Sequence, residues 1–441
     1  TFLRGLLDTL SIVPEVFRVN SEGKSYKTAG DQFLNKKMSN EMRENYGELL
    51  DDLYDIFING ISIGRDWDES STKEIIDNGP YFTPESAISA GLADSIMYPD
   101  QFDAYLKSLN DKKITITKWE NIDRSDEYVY EWAPVKKEKI ALIYAVGGIR
   151  SGKSNPGPAG STVMGDKTIT KAIKSARQDD DIKAIVLRID SGGGSALASD
   201  MMWREVHKTT APEAGDSANV KPFIATMSDV AASGGYYIAC QADTIVASPG
   251  TITGSIGVIG LRLNFSKLRN KFGITSDLVK KGDHADFGTG NRLISKQERE
   301  KIQASIDNTY NKFKDKVAAG RDSIPTSAEM DDVAMGRVFS GNRAHQNIPI
   351  ELVDVVGGLQ DAIDLAINAA GIEGKEVEIV EYPQPADKFK EIAKQFTTSS
   401  PTDIRYLLPE KLANEFDILD AIPILLDDET LMIVPVQISI N

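Results

Sequence analysis

A serine set between a strand and a helix, with glycines beside it, is suited to attacking a carbonyl, and residues 227–257 contain one. Lys221–Met227 reads as a short buried strand, Ala231-Ala232-Ser233-Gly234-Gly235 follows, and Tyr236–Cys240 opens a helix. The glycines let a substrate carbonyl approach the backbone. The free N–H groups of a helix's first turn are donors for a developing oxyanion. A strand at Thr244–Ala247 then leads into a second small, polar turn, Thr251-Ile252-Thr253-Gly254-Ser255-Ile256-Gly257. The same residues equally suit a tight turn whose small side chains only permit close packing.

A serine becomes a nucleophile when a base takes its proton. The chain has three histidines. His207 falls mid-helix among charges and His345 in a polar stretch. His284, in Gly282-Asp283-His284-Ala285-Asp286, is the one near a plausible active-site loop. The alternative base is a lysine that burial keeps neutral. The ordinary role of any one lysine is a solvated surface charge, and spacing alone does not separate Lys27 from Lys24.

A second motif competes for attention. Gly147-Gly148-Ile149-Arg150-Ser151-Gly152-Lys153-Ser154 fits the phosphate-loop pattern and follows a strand, and Ile185–Asp190 imitates a magnesium-holding strand. A phosphate loop must run straight into a helix whose N-terminus meets the phosphates. Asn155-Pro156-Gly157-Pro158-Ala159-Gly160 cannot supply that helix. Residues 147–165 therefore read as a loop, and no nucleotide, metal or other cofactor is expected.

Bulk properties narrow the classes. At 441 residues the chain is long enough for two or three domains. It is 41% hydrophobic and 26% charged, as a globular protein is. A net charge of −16 argues against a nucleic-acid partner. The single cysteine, Cys240, excludes an intrachain disulfide and a cysteine-rich zinc site, and reads as a small core residue. No apolar run approaches the ~20 residues a membrane span needs.

The positioning elements follow from pattern. Phe2–Leu10 reads as helix, Glu15–Val19 as strand, Asn20–Gly30 as loop, Ser39–Arg65 as a long amphipathic helix and Tyr81–Ile96 as a helix-plus-turn unit. Ile140–Val146 and Ala184–Ile189 read as buried strands, Asp166–Gln178 and Ala196–Lys208 as helices. That alternation implies parallel βαβ units. Thr397–Thr402 reads as a flexible linker, and Leu431–Ile440 as an apolar segment suited to core packing. An order also recurs. The stretch from Lys37 to Gly64-Arg65-Asp66, then Gly91-Leu92-Ala93-Asp94-Ser95, parallels the stretch from Leu293 to Gly320-Arg321-Asp322, then Glu351-Leu352-Val353-Asp354-Val355. Two tandem copies of one unit explain this, the first lacking its front half.

Ala-Ala-Ser-Gly-Gly-Tyr-Tyr-Ile-Ala around Ser233, followed by Ser-Pro-Gly-Thr-Ile-Thr-Gly-Ser-Ile-Gly, resembles the core of the signal peptide peptidase A (protease IV) family, serine peptidases of ClpP/crotonase-like fold. Asp190-Ser191-Gly192-Gly193-Gly194-Ser195 resembles the family's Asn-Ser-Pro-Gly-Gly-Ser turn, departing at Asp190 and Gly192 without losing a backbone N–H. The resemblance implies a Ser–Lys dyad. In long, tandem-repeat members the lysine comes from the first repeat in a Tyr-Lys-Ser-type motif, which Tyr26-Lys27-Thr28 matches. In short members it comes from the serine's own repeat, where Ala285 stands here, with Lys280 and Lys281 as neighbouring candidates. Ser255 resembles the second serine that orients the lysine, and Gly193 and Gly234 would form the oxyanion hole.

The expected fold is thus an α/β, ClpP/crotonase-like parallel-sheet fold in tandem repeat. Residues 1–118 would be the C-terminal half of the first repeat, 119–138 a connector, 139–375 the second repeat and 376–441 a C-terminal extension. The implied function is endopeptidase cleavage of released signal peptides and other unfolded apolar peptides. The family also implies a ring- or dome-shaped homo-oligomer at the periplasmic face of a bacterial inner membrane. An N-terminal anchor and the start of the first repeat would lie ahead of residue 1. The fold class also accommodates acyl-CoA enzymes of the crotonase group and non-catalytic scaffold homologues.

Overall fold

The computed structural model describes residues 1–21, 23–109, 137–156, 162–211, 220–321, 323–324, 326–346, 351–382 and 431–433. The expected linker at 397–402, nearly all of the connector 119–138 and most of the extension 376–441 lie outside the described residues. Two compact units form, Thr1–Leu53 with Lys137–Asn441, and Tyr54–Lys136. The first carries every candidate residue named above.

Fifteen strands are described: β1 (Val13–Arg18), β2 (Glu138–Val146), β3 (Gly148–Arg150), β4 (Asn155–Pro156), β5 (Thr162–Gly165), β6 (Ile182–Ser191), β7 (Gly193–Ser195), β8 (Phe223–Ala232), β9 (Thr244–Ala247), β10 (Ile252–Gly254), β11 (Ile259–Asn264), β12 (Val338–Ser340), β13 (Val355–Val356), β14 (Val377–Tyr382) and β15 (Leu431–Ile433). An eight-stranded sheet runs β12-β10-β8-β6-β2-β14, with β9 beside β8 and β13 beside β9. All its pairs are parallel except β10–β12. A seven-stranded sheet runs β1-β11-β15-β7-β3-β5-β4. This is the α/β architecture of parallel βαβ units that the alternating pattern predicts.

The central strands are apolar on both faces because both faces are covered. On one side Ile143, Ile185, Leu187 and Met227 pack with Ile173, Met202, Tyr237 and Phe313 from the helices. On the other, Ile140, Leu142, Val186 and Ile224 meet Ala362 and Ala366 of the helix Leu359–Ala369. Phe313 is fully buried, with its ring 4.6 Å from that of Tyr237, on the helix that follows Ser233. Phe313→Ala is expected to destabilise the fold by about 3–5 kcal/mol. A lower urea midpoint at an unchanged m-value checks this.

Most elements found match the pattern, with one correction and one informative extension. Residues 147–165, read as a loop, instead carry β3, β4 and β5, because β3 pairs with β5 and with the distant β7, and β4 pairs with β5, partners that local composition does not reveal. The strand read as Lys221–Met227 instead runs from Phe223 to Ala232, directly into Ser233. Its second half, Ser228-Asp229-Val230-Ala231-Ala232, is too small and polar to read as a buried strand. It is held by register: Val230, Ala231 and Ala232 pair with Ile252, Thr253 and Gly254. That register brings Ser233 beside Ser255.

The recurring order also has a structural counterpart. The two long helices, Asn40–Arg65 and Lys296–Gly320, span 26 and 25 residues. Arg65 ion-pairs with Asp94, and Arg321 ion-pairs with Asp354 at 2.6 Å. Each pair therefore ties a helix end to the Leu-x-Asp unit that follows it. The strands preceding these helices, β1 and β11, pair antiparallel with each other from Val13↔Asn264 to Arg18↔Ile259. By that pairing residues near the start of the chain enter the sheet next to the serine turn.

Candidate active site

Ser233 sits at φ 56° and ψ −114°, between the end of β8 and the helix Gly234–Ala239. A non-glycine residue at positive φ is strained and persists only when its surroundings hold it. Here its N–H donates to Gly254 O at 2.8 Å and its carbonyl accepts from Tyr237 N–H at 2.9 Å. Ser255 is also at positive φ, 52°, and its N–H donates to Arg337 O at 2.6 Å. Two strained serines are thus fixed side by side.

Lys27 reaches them from the loop after β1. Its Nζ lies 2.7 Å from Ser233 Oγ, 2.9 Å from Ser255 Oγ and 2.9 Å from Ser255 O. The lysine is fully buried, and burial pushes its pKa well below the usual lysine range. All three partner atoms are neutral, and among the described residues no carboxylate is paired with this amine to offset an ammonium charge. The arrangement suits a neutral amine that accepts the Ser233 hydroxyl proton while Ser255 orients it.

Residues far apart in sequence build the lysine's channel. A Cβ at Gly257 would stand 3.3 Å from Lys27 Cδ, and one at Gly336, φ +90°, would stand 2.5 Å from Lys27 Cα. Arg18 donates to Lys27 O at 3.3 Å and to the buried Asp31 at 2.6 Å. Ser39 Oγ donates to the same Asp31 carboxylate at 2.5 Å. Asn45 Nδ2 donates to Tyr26 O at 3.2 Å. Local sequence carries no signal for the part Gly257 and Gly336 play, because Lys27 is hundreds of positions away from them, whereas Arg18, Asp31, Ser39 and Asn45 support it from within the first 45 residues.

The two glycine turns face each other. A Cβ at Gly234 would stand 3.2 Å from Gly193 Cα and 2.7 Å from Ser199 Oγ, so only glycine permits this approach. The Gly193 N–H donates to Ser191 Oγ at 3.2 Å, a long bond that a charged oxyanion would outcompete.

The other candidates lie elsewhere. Lys24, Lys280 and Lys281 are exposed, and Lys280 is paired with Asp286 at 2.9 Å. His284 bonds Glu298 at 2.9 Å and Gln297 at 3.2 Å. His207 stacks on Trp203, and His345 Nδ1 lies 3.0 Å from Val353 O. Cys240 is buried, and burial raises its pKa to about 12, so it remains a thiol. The phosphate-loop look-alike leads into strand rather than helix, and the Asp166 carboxylate accepts the Gly152 N–H at 2.6 Å, occupying a donor a phosphate would need. No cluster of potential metal ligands occurs among the described residues.

Known proteins are similar to this chain. The chain is 36% identical over 89% of its length to the chloroplastic serine protease SPPA of Arabidopsis thaliana, covering 56% of that protein. It is 31% identical over 93% of its length to Protease 4 of Salmonella typhi, covering 63% of it. The chain thus spans less than two thirds of these relatives. Among solved structures, the 1510-N membrane-bound stomatin-specific protease matches at 16% identity with a TM-score of 0.34, over 57% of this chain and 100% of that one. The sequence pattern of one peptidase family covers residues 1–113 and 216–373, which include both Lys27 and the turns bearing Ser233 and Ser255, and by that match the chain belongs to Peptidase family S49.

Proposed function

We propose that this chain is a serine endopeptidase in which Ser233 is the nucleophile, Lys27 the general base, Ser255 the residue orienting the lysine, and the N–H groups of Gly193 and Gly234 the oxyanion hole. The observation that carries this is the 2.7 Å approach of a fully buried lysine amine to Ser233 Oγ, with only neutral groups around it. Ser233 Oγ attacks the scissile carbonyl as its proton passes to Lys27 Nζ. The resulting ammonium gives that proton to the leaving amine, and a water, deprotonated by the same amine, releases the acyl group.

An extended peptide is the fitting substrate. Strand β15 lies between β7 and β11, antiparallel to both, with Met432 opposite Gly194 and Leu431 opposite Ile259. The backbone edges beside the serine turn therefore accept a strand, the mode in which main-chain bonds hold a peptide regardless of its sequence. Released signal peptides, with apolar cores that adopt extended structure, suit such a slot. The same reading divides the chain into an incomplete first repeat that supplies the base and a second repeat that supplies the serine. It further includes a homo-oligomer at the periplasmic face of a membrane, anchored by an N-terminal segment; no described helix is long and apolar enough to cross a membrane.

The test is to incubate a synthetic signal peptide with the intact protein and with Ser233→Ala, and to follow fragments and enzyme-bound acyl groups by mass spectrometry. Cleavage within the apolar core, with an acyl group on Ser233 in the intact protein only, is the expected result. Absence of both from the intact protein, or turnover of an acyl-CoA that survives Ser233→Ala, would overturn the reading.

A further inference from the structure

One short seam touches both halves of the candidate site. Gly336 lies against the Lys27 backbone, and its own N–H donates to Ile256 O at 2.9 Å. The next residue, Arg337, has two unrelated contacts. Its carbonyl accepts the N–H of the strained Ser255 at 2.6 Å. Its guanidinium lies over the Tyr26 ring, 3.7 Å from the centroid, and donates to Glu44 at 3.1 Å. Tyr26 OH donates to the same Glu44 carboxylate at 2.9 Å, closing the set. Tyr26 is buried and is the residue immediately before Lys27.

We propose that Arg337 is a positioning residue for the Ser233 reaction: its main chain fixes Ser255 and its side chain fixes Tyr26, so one residue sets the register between the lysine amine and the two serine hydroxyls. This rests on the reading of Lys27 and Ser233 given above. The need for such a device follows from the chain's construction. Lys27 and Ser233 are 206 positions apart, and no local geometry relates them. Proton transfer is sensitive to that relation, since a shift of about 1 Å at a reacting group costs on the order of a hundredfold in rate. Arginine suits the role because its planar cation stacks on an aromatic face while its fork still binds a carboxylate, which lysine cannot match.

The charged and titratable groups around the Tyr26–Lys27 segment are Arg18, Asp31, Glu41, Glu44, Tyr46 and Arg337. Arg18 and Asp31 pair with each other, Arg18 also bonding the Lys27 carbonyl; Tyr46 lies near Asp31, Glu41 near Tyr26, and Glu44 pairs with Arg337. Loss of the Arg337 side chain leaves Arg18, Asp31 and the Tyr26–Glu44 bond in place but uncovers the Tyr26 ring where the guanidinium lay. Water then gains access to the lysine amine, its protonated form becomes easier to form, and the acid limb of the kcat/KM profile moves to higher pH.

The experiment is steady-state hydrolysis of a fluorogenic signal-peptide fragment by the intact protein, Arg337→Met, Arg337→Lys and Tyr26→Phe, each across a pH series below its melting temperature. Arg337→Met is expected to lower kcat by about ten- to a hundredfold, with KM within about twofold and the acid limb displaced upward. Arg337→Lys, which keeps the charge, should recover part of kcat, and Tyr26→Phe, which keeps the stacked ring, should lose least. A kcat that falls only with the folded fraction, an acid limb that stays in place, or an effect confined to KM would each overturn the assignment. If the intact protein itself does not turn over, the dyad reading falls and this inference with it; active intact protein with unaffected Arg337 variants would overturn the inference alone.

Discussion

Replacing Lys27 by methionine is expected to lower kcat/KM for peptide hydrolysis by about four orders of magnitude or more, the scale seen when a member of a nucleophile–base unit is removed. Methionine matches the apolar stem of lysine and stops one atom short, where the amine was, so the channel lined by Gly257 and Gly336 stays filled. What is lost is the amine 2.7 Å from Ser233 Oγ, the group among the described residues placed to take its proton. Ser233→Ala should have a similar effect, and the double variant should be little worse than either alone, because the two residues act in one step. Two independent contributions would instead multiply, and that result would separate Lys27 from the serine's chemistry.

The same substitution has a distinct effect on stability. Burial holds the Lys27 pKa below its unfolded value, so over the interval between the two values the unfolded chain binds a proton that the folded chain does not. Stability then rises with pH across that interval and falls as pH drops toward the folded pKa. In Lys27→Met that slope should vanish, and the variant should gain most over the parent at the low end of the window. Activity of the parent should follow the same titration, rising as the amine loses its proton. Denaturant unfolding across a pH series reads the first effect, and a kcat/KM profile reads the second. Parallel stability curves for parent and variant would mean that Lys27 is not the group held neutral.

Much of this was legible in sequence, for identifiable reasons. The buried strands declare themselves as runs such as Ile140–Val146, since parallel strands covered on both faces leave no polar alternation to blur them. Gly193, Gly234 and Gly254 are readable because small residues crowd where backbones approach. The recurrence of Gly-Arg-Asp and Leu-x-Asp is readable because one Arg–Asp contact forms in each copy, Arg65 with Asp94 and Arg321 with Asp354. Less accessible was the second half of β8. Ser228-Asp229-Val230 does not look like strand and is only partly buried, and the pairing of Val230–Ala232 with β10 and of Ala231 with Ser191 carries the strand on to Ser233. Least accessible was Lys27. No periodicity distinguishes it from the exposed Lys24, and only family resemblance selected it. Its burial is produced by Gly257 and Gly336, which meet it only in three dimensions.

Gly336→Ala is expected to damage both stability and catalysis, and to do so through Lys27. Gly336 is held at φ +90°, where an L side chain is strained, and its new methyl would stand 2.5 Å from Lys27 Cα and 2.8 Å from Lys27 Cβ. These are backbone-proximal atoms that cannot rotate aside, unlike the end of a long side chain. Backbone strain of this kind costs about 1–3 kcal/mol. The remaining relief is to move the Lys27 segment away, which lengthens the 2.7 Å approach to Ser233 Oγ. Arg18, itself held by Asp31, donates to the Lys27 carbonyl and Asn45 to the Tyr26 carbonyl, so displacement also disturbs these bonds. A kcat reduced by on the order of a hundredfold is therefore expected in protein that is still folded at the assay temperature. Gly152→Ala is the control: it too has positive φ, +115°, but has nothing within 4 Å of its Cβ position, so it should share the strain and spare kcat. Equal losses of kcat in the two variants would show that backbone strain, and not displacement of the lysine, governs the outcome.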